Sequence, residues 1–297
     1  MKLNRILSEL KIKNVDLINE QEFETLGLAV SQINNTMCTF VDNEKFVNSL
    51  GSNVSMAITT KEIANKIKNC GICVVENPRI LFFKIHNFLK NNLEYVRKEF
   101  KTIIGENCNI SDKSYIAKNN VVIGNNVTIE EFVSIKENTS IGDNSIIRAG
   151  SVIGGLGFEF KRNGSEVISV EHLGGVVIKN NVEIQQNNCI DRAIYPWDDT
   201  VIGENCKTDN FVHIAHACKL GNAILIAACT CVAGRVVIGD NVWVGPGVTI
   251  INGIEIGNEA SISLGSVVTK SVDAGNTVTG NFAIEHSKFI EHMKTIR

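Results

Sequence analysis

The chain carries no surplus of positive charge: 29 Lys and Arg stand against 32 Asp and Glu, a formal net charge of −3. That excludes nucleic acid or an anionic membrane as the main partner, because nothing is in excess to neutralise phosphates. No apolar run is long enough to cross a bilayer; the longest, residues 225–234, spans ten positions. The first residues, MKLNRILSELKIKN, are interrupted by charge before an apolar signal segment could form, so a soluble cytoplasmic protein is expected. Proline is scarce at three, Trp at two and Tyr at three, which leaves an aliphatic core. The nine Cys include one CxxC, Cys70 to Cys73, with no second pair to complete a zinc site. Buried, reduced thiols are the expectation, and no bound metal or redox cofactor is implied.

What the chain does have is a repeat. From Ile202 an aliphatic residue recurs every six positions through Ile214, Leu220, Ile226, Val232, Ile238, Val244, Ile250, Ile256, Ile262 and Val268, broken only by Thr208. Ile123, Ile129, Ile135, Ile141, Ile147 and Ile153 form an earlier block, and Ile104, Ile110 and Ile116 a first one. Gly often follows the aliphatic residue, as at Gly124, Gly142, Gly203, Gly221 and Gly239, with Asn close behind.

A period of six suits neither a helix nor long alternating strands. It suits short strands joined by tight turns in which Gly and Asn accept φ > 0. Stacked turns of this kind bury each aliphatic side chain against its counterpart one coil on. Two stretches lack the pattern: residues 154–177, expected to project as a loop, and residues 191–201, across which Ile190 and Ile202 keep the six-residue phase. Residues 1–100 show no hexad and read as an α/β domain. Strands are expected at 54–58 and 71–75, and helical spacing of Phe82, Ile85, Phe88 and Leu89 suggests a helix over 81–100. Residues 283–297 read as an amphipathic helix with Ile284, Phe289, Ile290 and Met293 on one side.

Hexads of this kind resemble the left-handed parallel β-helix, in which three hexapeptides make a coil. The handedness comes from that resemblance alone, since general crossover rules favour the opposite hand. With the segment KTDNFVHIAH at 207–216, the order of α/β cap, loop and repeat resembles the UDP-3-O-acylglucosamine N-acyltransferases of lipid A synthesis. The domains are then 1–100, a pyrimidine-binding cap; 101–280, the catalytic β-helix with its loop at 154–177; and 281–297, the C-terminal helix.

The resemblance implies that Phe40 and Phe46 sandwich a uracil ring with Asn43 between them. It also implies that Phe158, His172, Asn210 and His213 contact substrate. It implies His216 as the catalytic base, Asp209 as its associated carboxylate and Gly234 as a backbone oxyanion donor. Spacing adds one independent point: Gly234 lies 18 residues after His216, one coil on, so the two should be stacked neighbours.

Past residue 250 the pattern departs from that family. Ile254 stands where a second His is usual. Residues 264–270 (LGSVVTK), with Ala274, Gly275, Gly280 and Asn281, look more like the closing coils of enzymes that use acyl-CoA. The expected activity is N-acylation of a UDP- or dTDP-linked amino sugar by a homotrimer, the cosubstrate being acyl-CoA or an acyl carrier protein. The alternative is the lipid A reaction itself, on a 3-O-acylated UDP-glucosamine. A trimeric zinc enzyme using His213 and His216 lacks a convincing third His, and a non-catalytic scaffold leaves the His216, Asp209 and Gly234 set without purpose.

Overall fold

A computed structural model describes residues 1–31, 33–280 and 283–295. The chain divides into two compact units. The first joins Met1–Phe100 to two later segments, Leu156–Gly174 and Ala193–Asp198. The second holds Lys101–Gly155, Gly175–Arg192 and Asp199–Arg297. The projecting loop expected within the repeat domain is therefore divided, and most of it folds with the N-terminal residues.

The first unit is built on a five-stranded sheet of β1 (Asp16–Ile18), β2 (Thr25–Leu26), β3 (Met37–Val41), β4 (Val54–Thr59) and β5 (Gly71–Val74), in the order β1-β5-β4-β3-β2. All pairs are parallel except β1 with β5. β4 is buried at every position, as a central parallel strand must be when both faces are covered. The helix α1 (Pro78–Phe88) starts with Pro at its first turn and buries Leu81, Phe82, Phe83 and Ile85.

That helix stops well short of residue 100. A short 3-10 turn follows at Leu89–Asn91, and Asn92 Oδ1 then accepts the Glu94 N–H at 2.8 Å, a side-chain bond that competes with the helical one. Beyond it Tyr95 turns inward and its hydroxyl lies 2.8 Å from His86 Nδ1. His86 Nε2 lies 2.9 Å from the Glu171 carbonyl, which can only accept, so Nε2 carries the hydrogen and Nδ1 accepts from Tyr95. The two late segments are tied in the same way. Arg97 Nε donates to Pro196 O at 2.7 Å, and Trp197 Nε1 donates to Leu26 O at 2.8 Å.

The second unit is a parallel β-helix of three sheets with nine, eight and eight strands, each strand typically two residues long. Face A stacks Asn109–Ile110 through Lys207–Thr208 to Thr277–Val278; face B stacks Tyr115–Ile116 through His213–Ile214 to Val267–Val268; face C stacks Ile103–Ile104 through Asp199–Ile202 to Glu255–Ile256. The hexad aliphatics from Ile123 to Val268 are buried and make one continuous core. The step from Ile141 to its partner Ile178 exceeds a coil by the length of Leu156–Gly174, and that from Ile178 to Ile202 by the length of Ala193–Asp198. Both segments leave the coil and return to the next position of the ladder, which is why the register persists.

The corner residues divide their labour differently from the expectation. Asn126, Asn144, Asn181, Asn205 and Asn241 take the positive φ, as expected of a short amide. Two places earlier stands Gly124, Gly142, Gly203 or Gly239, or Lys179 before Asn181, and the glycines are there for space. A Cβ on Gly142 would stand 2.6 Å from Lys179 C and 2.7 Å from Asn180 N of the next coil. The intervening residue links coils: Asn125 N donates to Asp143 Oδ1 at 2.7 Å and Asp143 N to Asn180 Oδ1 at 2.9 Å.

The C-terminal helix runs His286–Thr295 with no residue buried, and Ile284 precedes it. Residues 281, 282, 296 and 297 of the expected helical segment lie outside the described residues. No helix among the described residues is long and apolar enough to cross a membrane.

His86 makes stability depend on pH. Burial holds its imidazole at about 4, below the ordinary 6.5. Between these values the unfolded chain binds a proton that the folded chain refuses. Stability is therefore complete above pH 6.5 and falls by roughly 3 kcal/mol as pH drops through 4. Urea denaturation across this range, with NMR titration of His86, is expected to show the loss; a His86 titrating near 6.5 would contradict it.

Candidate active site

One group of polar side chains in the β-helix gathers at the corner between faces B and C. Strand His213–Ile214 pairs with Cys189–Asp191 on the coil before and with Cys231–Val232 on the coil after. Ile214 points into the core, so alternation turns His213 outward. The chain then bends through His216, 8% exposed, and Ala217, whose φ of 60° is left-handed.

Gly234 sits directly beneath His216. A Cβ there would lie 2.6 Å from His216 Nε2, 2.8 Å from Cε1 and 3.1 Å from Cδ2. The predicted stacking is thus present, and it explains the glycine: the imidazole occupies the place a side chain would take. The Arg235 N–H donates to His216 O at 2.9 Å and keeps the two corners in step.

The carboxylate beside these imidazoles is Asp191, not Asp209. Asp191 Oδ2 lies 3.6 Å from His213 Nε2. Burial pushes the Asp191 carboxyl up, while the charges of His213 and His216 pull it down. Asp209 is exposed at the end of a face A strand, and its carboxylate accepts the Asn210 N–H at 2.7 Å. The reason is geometric. Seven residues back from His216 is a different corner of a three-faced coil, whereas Asp191 shares face B with His213 on the adjacent coil. The Ala193–Asp198 excursion lengthens that coil and hides the relation from a count of eighteen.

Thr200 was also missed by the sequence reading. It is fully buried; its hydroxyl donates to Asp191 O at 2.6 Å and accepts from Ala217 N at 2.8 Å. One side chain thereby joins the strand end carrying Asp191 to the corner carrying His216. Asn210 Oδ1 accepts from Gln186 N at 3.1 Å, a link between coils.

The remaining expected site residues belong to the N-terminal unit, where the two aromatics pack against different cores. Phe40 packs 5.0 Å from Phe82 and 6.0 Å from Phe83. Phe46 packs against a different core that includes Val41, Ala57 and Ile63. Alternation along β3 puts Phe40 on the opposite side from Val41, and the 3-10 turn Glu44–Ser49 follows Val41's side. Asn43 caps that turn, its Oδ1 accepting from Lys45 N at 3.1 Å. Phe158 is 89% exposed, its ring 4.9 Å from Phe160; with Arg162 and Val167 the two line a cavity of about 370 Å³. His172 is buried with Nδ1 3.0 Å from Val170 O. Among the described residues no group of three or more His, Cys, Asp or Glu side chains is arranged to hold a metal.

Comparison with known proteins agrees with this architecture. Residues 120–155 and 235–270 match the bacterial transferase hexapeptide (six repeats) family. A UDP-3-O-acylglucosamine N-acyltransferase of Caulobacter sp. (strain K31) is 42% identical over 132 residues, covering 44% of this chain and 38% of that protein. Another, from Dechloromonas aromatica, is 51% identical over 89 residues, covering 30% and 25%. The matched segments thus span less than half the length of these curated relatives. Among solved structures, the UDP-N-acetylglucosamine acyltransferase of Bacteroides fragilis is 29% identical with a TM-score of 0.51, covering 60% of this chain and 66% of that one. That of Campylobacter jejuni, 24% identical with a TM-score of 0.54 over 66% and 79%, shares the fold.

Two substitutions test the corner. Gly234→Ala is expected to displace the His216 ring and destabilise by about 1–3 kcal/mol, read by a crystal structure and thermal denaturation of the variant. Thr200→Val leaves the Ala217 N–H without its acceptor and should destabilise by about 1–3 kcal/mol, with Thr200→Ser recovering most of it; equal stability of all three proteins would refute the bridge.

Proposed function

We propose that this chain is an N-acyltransferase that moves an acyl group from a phosphopantetheine thioester to the amine of a UDP- or dTDP-linked amino sugar. The observation that carries the reading is the buried imidazole of His216 seated on Gly234 with Asp191 nearby. The Caulobacter and Dechloromonas relatives, both named UDP-3-O-acylglucosamine N-acyltransferase, support the same chemistry.

On this reading a neutral His216 takes a proton from the sugar ammonium, and the freed amine attacks the thioester carbonyl. The tetrahedral oxyanion is held by a backbone N–H at Gly234, where the absent side chain permits close approach. Asp191 balances the charge that His216 acquires. The donor is acyl-CoA or an acyl carrier protein, and the working unit is a cytoplasmic homotrimer in which a neighbouring subunit walls the shallow face of the β-helix into a pocket.

A second reading is favoured by the relatives' names: the acceptor is a 3-O-acylated UDP-glucosamine and the donor a hydroxyacyl carrier protein. One experiment addresses both. Pure protein is incubated with UDP- and dTDP-amino sugars plus acetyl-CoA, and in parallel with the 3-O-acylated sugar plus hydroxyacyl carrier protein, following thiol release. Turnover in one arm is expected, falling ~10²–10⁴-fold in His216→Ala with the fold retained. Silence in both arms would refute the proposal.

A further inference from the structure

The acyl transfer proposed above leaves a proton to dispose of. An ammonium has three N–H bonds and the product amide has one. As the N–C bond forms and the C–S bond breaks, one proton goes to the leaving thiolate, and the other must reach water at each turnover. His216, the group that takes it, is 8% exposed and packed on Gly234, so its own route to bulk solvent is narrow.

The residues beside it grade from buried to exposed. The Asp191 side chain is 8% exposed and the His213 side chain 41%, with His213 Nε2 3.6 Å from Asp191 Oδ2. Asp191 is held in place by the Thr200 hydroxyl on its carbonyl at 2.6 Å, and that hydroxyl also receives Ala217 N–H, next to His216. We propose that Asp191 and His213 form the proton exit from His216, the outer imidazole exchanging its proton with the buffer. The proposal rests on the acyl-transfer reading, which is what places a proton on His216.

The separation of 3.6 Å is that of an ion pair, and it would close as the proton arrives, since catalytic hydrogen bonds tighten on going to the working complex. The Asp191 carboxyl is pushed up by burial and pulled down by the charges of both imidazoles, so each ring lies within its electrostatic reach. Cys189 and Cys231 are titratable groups in register with His213 on the coils before and after. Burial pushes both thiols up, and the Asp191 charge adds to this at Cys189, so both remain neutral spectators near pH 7.

The test measures kcat of the full-length protein against buffer concentration at fixed pH and ionic strength. In His213→Gln, which keeps hydrogen-bonding capacity but cannot carry the proton, kcat is expected to fall about tenfold in dilute buffer, less than loss of the base itself costs. KM for the sugar should be unchanged, and added imidazole should restore the rate. A second variant removes the inner carboxylate: Asp191→Asn, with thermal denaturation to check that it is folded, is expected to lower kcat in dilute buffer at least as far as His213→Gln does. A His213→Gln enzyme that loses only KM, or ignores buffer, overturns the exit while leaving acyl transfer standing. A folded Asp191→Asn enzyme with wild-type kcat in dilute buffer overturns it as well. A wild-type protein inactive in both assay arms overturns the acyl-transfer reading and the exit with it.

Discussion

Each coil of the β-helix must lie close enough to the next for main-chain hydrogen bonds to pass between them, and most of the molecule follows from that spacing. Gly221 N reaches Ile238 O and Gly239 N reaches Ile256 O, both at 2.8 Å. At that distance a Cβ at Gly124, Gly142, Gly203, Gly221 or Gly239 would meet the next coil within 3 Å, the inward positions are aliphatic save Thr208, and a short polar side chain can bridge to the coil beyond. The hexad is the imprint of these three demands on the chain.

The candidate site uses the same spacing at a place where the pattern is modified. At the corner after face B, the left-handed position is held by Ala217 and Arg235 in place of Asn. One coil supplies His216 and the next supplies Gly234, and the ring takes the space that coil stacking left for it. Asp191 and Thr200 bracket the six residues Ala193–Asp198 that leave the coil for the other unit. The polar groups therefore collect where the solenoid is interrupted, which fits the general rule that loops carried by a rigid scaffold bear function.

The repeat was legible because its signal is periodic and long, and because one coil is the sum of three hexads. That arithmetic also foretold the stacking of Gly234 on His216. It is silent on Asp209, which came from the resemblance alone, since it relates two residues only when they share a corner. Phe40 and Phe46 lie outside the repeat, beyond the reach of that arithmetic, the first on a strand and the second in the 3-10 turn that follows.

The sequence by itself determined the β-helix, its register and the burial of its aliphatic ladder, because each depends on neighbours a constant distance away along the chain. The tertiary structure alone decided what depends on contacts without a period. It assigned Leu156–Gly174 and Ala193–Asp198 to the N-terminal unit through bonds such as those of Arg97 and Trp197. It ended the helix at Phe88 by turning Tyr95 toward His86. It also set Asp191 and Thr200 beside the histidines, since an excursion of the chain separates in sequence what hydrogen bonds between adjacent coils hold together in space.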